Sequence, residues 1–164
     1  MKGSSNPNPV VRASATSGAI TSQLVGVWTL VSFVNQQDGL EESFPFGPKP
    51  EGFLIYTSDG YVSAQLMKPG RSLFHSGDWQ QATASEFQDA GSGYIGYCGV
   101  YAVDEEKETV THFPSVAFVP NLINGKQLRL VDLRGDRLTL RTTGSFVENG
   151  KPITSRLEWQ RAPK

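Results

Sequence analysis

The chain is poor in the residues that carry most enzyme chemistry. It has one cysteine, Cys98, in 164 residues, so an internal disulfide is excluded. With two histidines, that cysteine and no compact carboxylate cluster, no metal-ligand spacing arises, and no metal is expected. No G-x-G-x-x-G and no phosphate-cradling glycine loop precedes a helix, so no nucleotide cofactor is expected. A nucleophile elbow is missing as well, and Cys98 reads as a small packed hydrophobe. Net charge is −1 with no basic cluster, which removes the electrostatic footprint of a nucleic-acid or membrane-surface binder. No apolar run is long enough to span a bilayer. Residues 1–20 are rich in Ser, Asn, Pro, Thr and Ala and lack the continuous apolar core of a signal peptide. These absences point to a reducing, cytoplasmic setting, with a disordered tail over 1–22 and one barrel domain over 23–164.

What the chain does have is a rhythm. Strand-like runs fall at 25–34, 52–57, 60–67, 94–103, 108–114, 126–133, 136–147 and 151–161. Short polar turns, Thr57-Ser58-Asp59-Gly60, Asp104-Glu105-Glu106-Lys107 and Arg134-Gly135-Asp136, alternate with long connections at 35–51, 68–93 and 115–125. In a meander every second connection falls at the same end of the sheet. The long connections therefore gather at one end and the tight turns at the other. The expectation is an all-β, eight-stranded antiparallel up-and-down barrel, wide enough for one small ligand, with its mouth at the long-loop end. Residues 78–90 read as the one main helix near that mouth, with Asp78 as its cap. Asn149-Gly150 turns the final hairpin. The first strand starts and the last strand ends at the closed end, so Trp28 and Arg161 are expected to stack there.

Side-chain alternation nominates the lining. Trp28, Leu30, Ser32 and Val34 share one face of the first strand, and Tyr61, Ser63, Gln65 and Met67 one face of the third. Strand direction puts His112, Gln65 and Tyr94 high, with Asn121 in a mouth loop, while Tyr97 sits below and Tyr61 and Tyr101 lie low. His112 is the acid–base candidate, since imidazole titrates near ~6.5, and Tyr97 is its catalytic companion. The ligand-binding candidates are Gln65, Tyr61, Tyr94, Tyr101, Asn121, Ser32, Phe46 and Phe118. Phe46 comes from the stiff segment Phe44-Pro45-Phe46-Gly47-Pro48 expected across the mouth.

These residues resemble a known family. Gly26-Val27-Trp28 with a late Arg is the lipocalin pattern. A more specific match is to the small lipocalin-like domain family of bacterial and fungal proteins. It rests on Leu24 to Phe33, Gly52 to Gln65, Gly99-Val100-Tyr101, Thr109 to His112 running on to Pro120-Asn121, and Gly135 to Leu140. The resemblance covers 24–161 and implies a calycin-type barrel. It implies less about activity, although some relatives of this barrel class act on natural-product intermediates. A second histidine often follows the first in the family; here Phe113 stands in its place.

Two functions fit. One is a cofactor-independent enzyme acting on a hydrophobic or aromatic small molecule by isomerisation, dehydration or cyclisation, with His112 moving a proton. The alternative is a non-catalytic intracellular carrier of such a molecule. The missing secretion and disulfide signals favour the enzyme. The apolar outer face of the first strand leaves room for a homodimer or another partner.

Overall fold

The computed structural model describes residues 19–37, 40–143, 146–148 and 150–163. Its sheet consists of β1 (Gly26–Gln36), β2 (Glu51–Tyr56), β3 (Tyr61–Met67), β4 (Tyr94–Asp104), β5 (Thr109–Ala117), β6 (Gln127–Arg134), β7 (Arg137–Thr142), β8 (Phe146–Glu148) and β9 (Lys151–Arg161). Neighbours follow chain order from β1 to β7, β9 joins β7, and β9 pairs back onto β1 from Trp28↔Arg161 to Gln36↔Thr154. Eight antiparallel strands thus close a barrel with no free edge. β8 only extends the start of β9 as a hairpin. The run expected over 136–147 is therefore two strands, interrupted after Thr142. The proposed turn residue Asn149 lies outside the described residues.

The expected helix over 78–90 resolves into a 3-10 turn, Trp79–Gln81, and helix α2, Ala84–Ser92. Asp78 accepts from Gln80 N–H, and Thr83 and Glu86 form a reciprocal capping box at the start of α2. A second short helix, α1 (Ala19–Leu24), falls partly in the stretch read as a tail, whose first eighteen positions lie outside the described residues. The Glu105 carboxylate in the β4–β5 turn accepts from Ile20 N–H, Thr21 N–H and the Thr21 hydroxyl, tying α1 to the tight-turn end.

That end is closed by the expected stack. The Arg161 guanidinium lies 4.1 Å from the centre of the Trp28 ring, a contact worth about 0.5–2 kcal/mol. Arg161 also donates to the carbonyls of Gln23 and Val25 and to Asp136 Oδ1, while Trp28 Nε1 donates to the Leu24 carbonyl. Gly26 has φ +133°, and a side chain there would press on Arg161 Nη1 at 3.0 Å. Only glycine lets the guanidinium settle over the indole.

Two bulges set which side chains face inward. On β1 the register slips between Leu30 and Ser32, so Trp28, Leu30, Phe33 and Asn35 face in and Ser32 turns out beside Glu158. On β5 Ser115 is the extra residue, since Gly99 pairs Pro114 while Cys98 pairs Val116. The interior is graded. Trp28, Leu54, Tyr56, Val62, Val110, His112 and Leu138 are essentially inaccessible. Nearer the mouth, the inward-facing Gly52, Ile95, Ala117, Ser155 and Leu157 keep partial exposure. The base of the barrel is thus fully packed, and burial loosens toward the mouth.

Candidate functional site

The polar centre of the barrel is a chain of three side chains from three strands. Tyr56 Oη lies 2.7 Å from His112 Nε2, and Tyr97 Oη lies 2.7 Å from His112 Nδ1. Tyr56 comes from the end of β2, Tyr97 from the upper half of β4, and His112 from β5, all on the inward phase of their pleats. Tyr101, opposite His112 in register, packs edge-on to Tyr56 at 4.8 Å and donates to the Thr57 carbonyl in the tight turn. Arg129 enters from β6, on the same face as Val110 and Thr142, and donates to Gln127 Oε1 and to the Leu128 carbonyl.

Burial governs the charges here. It lowers the His112 pKa to about 3, and the positive charge of Arg129 pushes the same way. The imidazole is neutral at pH 7, with both nitrogens engaged. Desolvation raises the Tyr56 phenol well above its ordinary value, with Tyr97 adding to the effect and Arg129 opposing it. Tyr97 is raised for the same first reason and likewise held back by Arg129. Among the described residues, Trp159 Nε1 is the one buried side-chain polar atom with no hydrogen-bond partner. Groups of His, Cys, Asp and Glu able to hold a metal are absent from the described residues.

Several expected site residues are elsewhere. Val62, Ala64 and Leu66 face inward on β3, so Tyr61, Ser63 and Gln65 point outward. Tyr94 also faces out, where its hydroxyl donates to Gln65 Oε1 over Gly96. Phe118 meets Tyr94 edge-on at 5.8 Å on that outer surface and rests against Gly91 of α2. Ser32 is turned out by the β1 bulge. Asn121 is exposed in the 3-10 turn Pro120–Leu122 at the mouth end. Phe46 is buried against Phe33, ring centres 5.5 Å apart. His112 sits deeper than expected because β5 runs on to Ala117, three residues beyond the run's expected end, which moves the rim upward. Of the candidates, then, His112, Tyr97 and Tyr101 share the inner polar cluster, and Phe46 packs into the apolar core around it. Tyr56, Gln127 and Arg129 complete the polar cluster without having been nominated. A polar residue on every second position of β6, ahead of Val131, was the signal available for the last two.

Two depressions mark the outer surface. One, of about 510 Å³, runs along β6 and β7 between Ile20, Lys107, Asp132, Arg134 and Arg141. The other, of about 210 Å³, lies over Gln65, Tyr94, Gly96, Cys98, Val116 and Phe118 and also touches Tyr97 and Ala117. Neither reaches His112, and the charged or open walls of both exclude less water than the barrel interior does.

The closed meander and its Trp–Arg plug agree with comparison to known sequences, in which the profile of the lipocalin-like domain family matches residues 25–162. The chain belongs to the lipocalin-like domain family. Among curated relatives of this lipocalin-like protein is a 4'-hydroxy-3'-methoxypropiophenone carrier protein of Aspergillus oryzae. It is 30% identical over 109 residues, which are 63% of this chain and 98% of the relative. No solved structure matches the chain significantly. Among the described residues, no helix is long and apolar enough to cross a membrane.

Proposed function

We propose that this lipocalin-like protein is a carrier that holds a small aromatic ketone or phenol inside the barrel and releases it unchanged. The observation that carries this reading is the state of His112. A neutral imidazole with a pKa of about 3, clamped by a tyrosine at each nitrogen, is a poor proton shuttle near neutrality but a firm structural anchor. The partly exposed apolar wall above it supplies a binding surface at about 25 cal/mol per Å² of apolar area buried. Similarity to a protein named as an aryl ketone carrier supports the same class of ligand. Cys98, expected as a packed hydrophobe, is instead exposed because its position on β4 faces outward, and a free exposed thiol suits the reducing compartment expected from the sequence.

The enzyme reading retains one observation in its favour. Tyr56, His112 and Tyr97 form a continuous hydrogen-bonded relay inside an apolar wall. One experiment separates the two readings. The protein is titrated with 4'-hydroxy-3'-methoxypropiophenone by calorimetry, and the ligand is then recovered and weighed by mass spectrometry. Saturable binding with unaltered ligand is expected. Stoichiometric or catalytic conversion would replace the carrier by the enzyme, and absence of binding would remove this ligand class.

A further inference from the structure

The inner chain can be counted proton by proton. Neutral imidazole carries one N–H and one acceptor nitrogen, and each tyrosine hydroxyl carries one O–H. Tyr56, His112 and Tyr97 therefore hold three donor hydrogens between them, and only two hydrogen bonds join them. One tyrosine gives its proton to the imidazole, the other accepts the imidazole N–H, and the second tyrosine's own proton is left over. Among the described residues neither hydroxyl has another partner. Protonating His112 would leave two hydroxyl protons over instead of one, so the surplus survives either charge state.

Among the described residues, the Trp159 indole N–H is likewise buried with no partner. The amide oxygen of Gln127 already accepts from Arg129. A surplus buried donor is complementary to a ligand that brings an acceptor oxygen.

We infer that the surplus hydrogen belongs to Tyr97 and that it is the donor to the ligand's carbonyl oxygen, with His112 held as its Nδ1–H tautomer. Of the two tyrosines, Tyr56 is packed edge-on against Tyr101 at the base, whereas Tyr97 pairs with Ala117 near the mouth end of β5. Tyr97 stands in the mouth half of β4, whereas Tyr56 ends β2 just before the tight turn at the closed end, so Tyr97 is the tyrosine nearer the mouth. The inference rests on the carrier reading for its ligand class and adds to it the atom that is recognised and the residue that recognises it.

Two measurements test it. In the ligand-free protein, nitrogen NMR of His112 distinguishes the tautomers: Nδ1 protonated with Nε2 bare is expected, and the reverse overturns the assignment. In the second, binding of 4'-hydroxy-3'-methoxypropiophenone is compared with that of its analogue having a methylene in place of the ketone, and with that of its phenol methyl ether. Removing the ketone should weaken binding to the wild type at least about fivefold, and the gap should fall below about twofold in Tyr97→Phe. An equal gap in both proteins, or a loss that follows the phenol instead of the ketone, overturns the inference. If none of the three molecules binds, the carrier reading for aryl ketones fails, and the His112 tautomer alone decides the donor assignment.

Discussion

Tyr97 and Tyr94 lie three residues apart on β4, and the pleat sends one into the barrel and the other onto its outer surface. Both hydroxyls have a partner on a neighbouring element: Tyr97 meets His112, Tyr94 meets Gln65. The inner pair is desolvated, and burial shifts both of its members toward their neutral forms. The outer pair lines a shallow groove with Phe118, where water competes for the same groups. Identical functional groups on one strand thus lie in a dry interior in one case and in a wetted groove in the other. The difference is made by the surrounding dielectric and not by the residue type.

The contrast should be largest for the tryptophans. Trp159→Ala removes a buried inward ring and should cost about 3–5 kcal/mol in urea unfolding. Trp79→Ala, on an exposed 3-10 turn, should stay within about 0.5 kcal/mol. Comparable losses for both would erase the distinction between inside and outside.

Acid should act on the inner pair next. The folded pKa of His112, about 3, lies below the ordinary value of 6.5, so between those limits the unfolded chain binds a proton that the folded protein does not. Stability from this group is complete above pH 6.5 and is lost as pH falls toward 3, at up to roughly 1.4 kcal/mol per pH unit. Denaturant midpoints measured from pH 7 to pH 4 should decline, and His112→Phe should flatten the part of the slope that this group contributes. An unchanged slope in the variant would mean that the histidine is solvated.

Smaller still is the hydroxyl comparison. Tyr97→Phe leaves His112 Nδ1 without a partner and should cost about 1–3 kcal/mol. Tyr94→Phe exposes Gln65 to solvent, which replaces the lost bond, so the change should stay below about 0.5 kcal/mol. The glycines of the same strand repeat the pattern. A methyl on Gly99 would collide with the backbone of Phe113 and Pro114, whereas one on Gly96 mainly displaces the ends of Gln65 and Tyr94. Gly99→Ala should therefore destabilise by about 1–3 kcal/mol and Gly96→Ala by less, as read from thermal midpoints.

The barrel's connectivity was legible in the sequence because turn chemistry is local. Thr57 to Gly60 and Arg134 to Asp136 announce their hairpins without reference to the rest of the chain, and strand count then brings Trp28 to Arg161. The inner surface was less legible because it depends on phase. On β3 the sets Tyr61/Ser63/Gln65/Met67 and Val62/Ala64/Leu66 both contain apolar residues, and closure of the sheet selected the smaller side chains for the interior. On β1 one extra residue reversed the phase between Leu30 and Phe33 and expelled Ser32. Arg129 looks like a surface residue in sequence; its register with Val110 and Thr142 is what makes it an inner one. His112 was recognisable as central from its parity with Val110 and Pro114, but its depth was set by where β5 ends.

The central claim is that the ligand lies inside the barrel against the Tyr56–His112–Tyr97 chain. The most direct measurement is a set of intermolecular nuclear Overhauser contacts between isotope-labelled protein and 4'-hydroxy-3'-methoxypropiophenone. Contacts from the ligand to His112, Leu157 and Ile95, with none to Tyr94, Gln65 or Phe118, are the predicted result. Contacts confined to Tyr94, Gln65 and Phe118 would place the ligand in the outer groove and contradict the account.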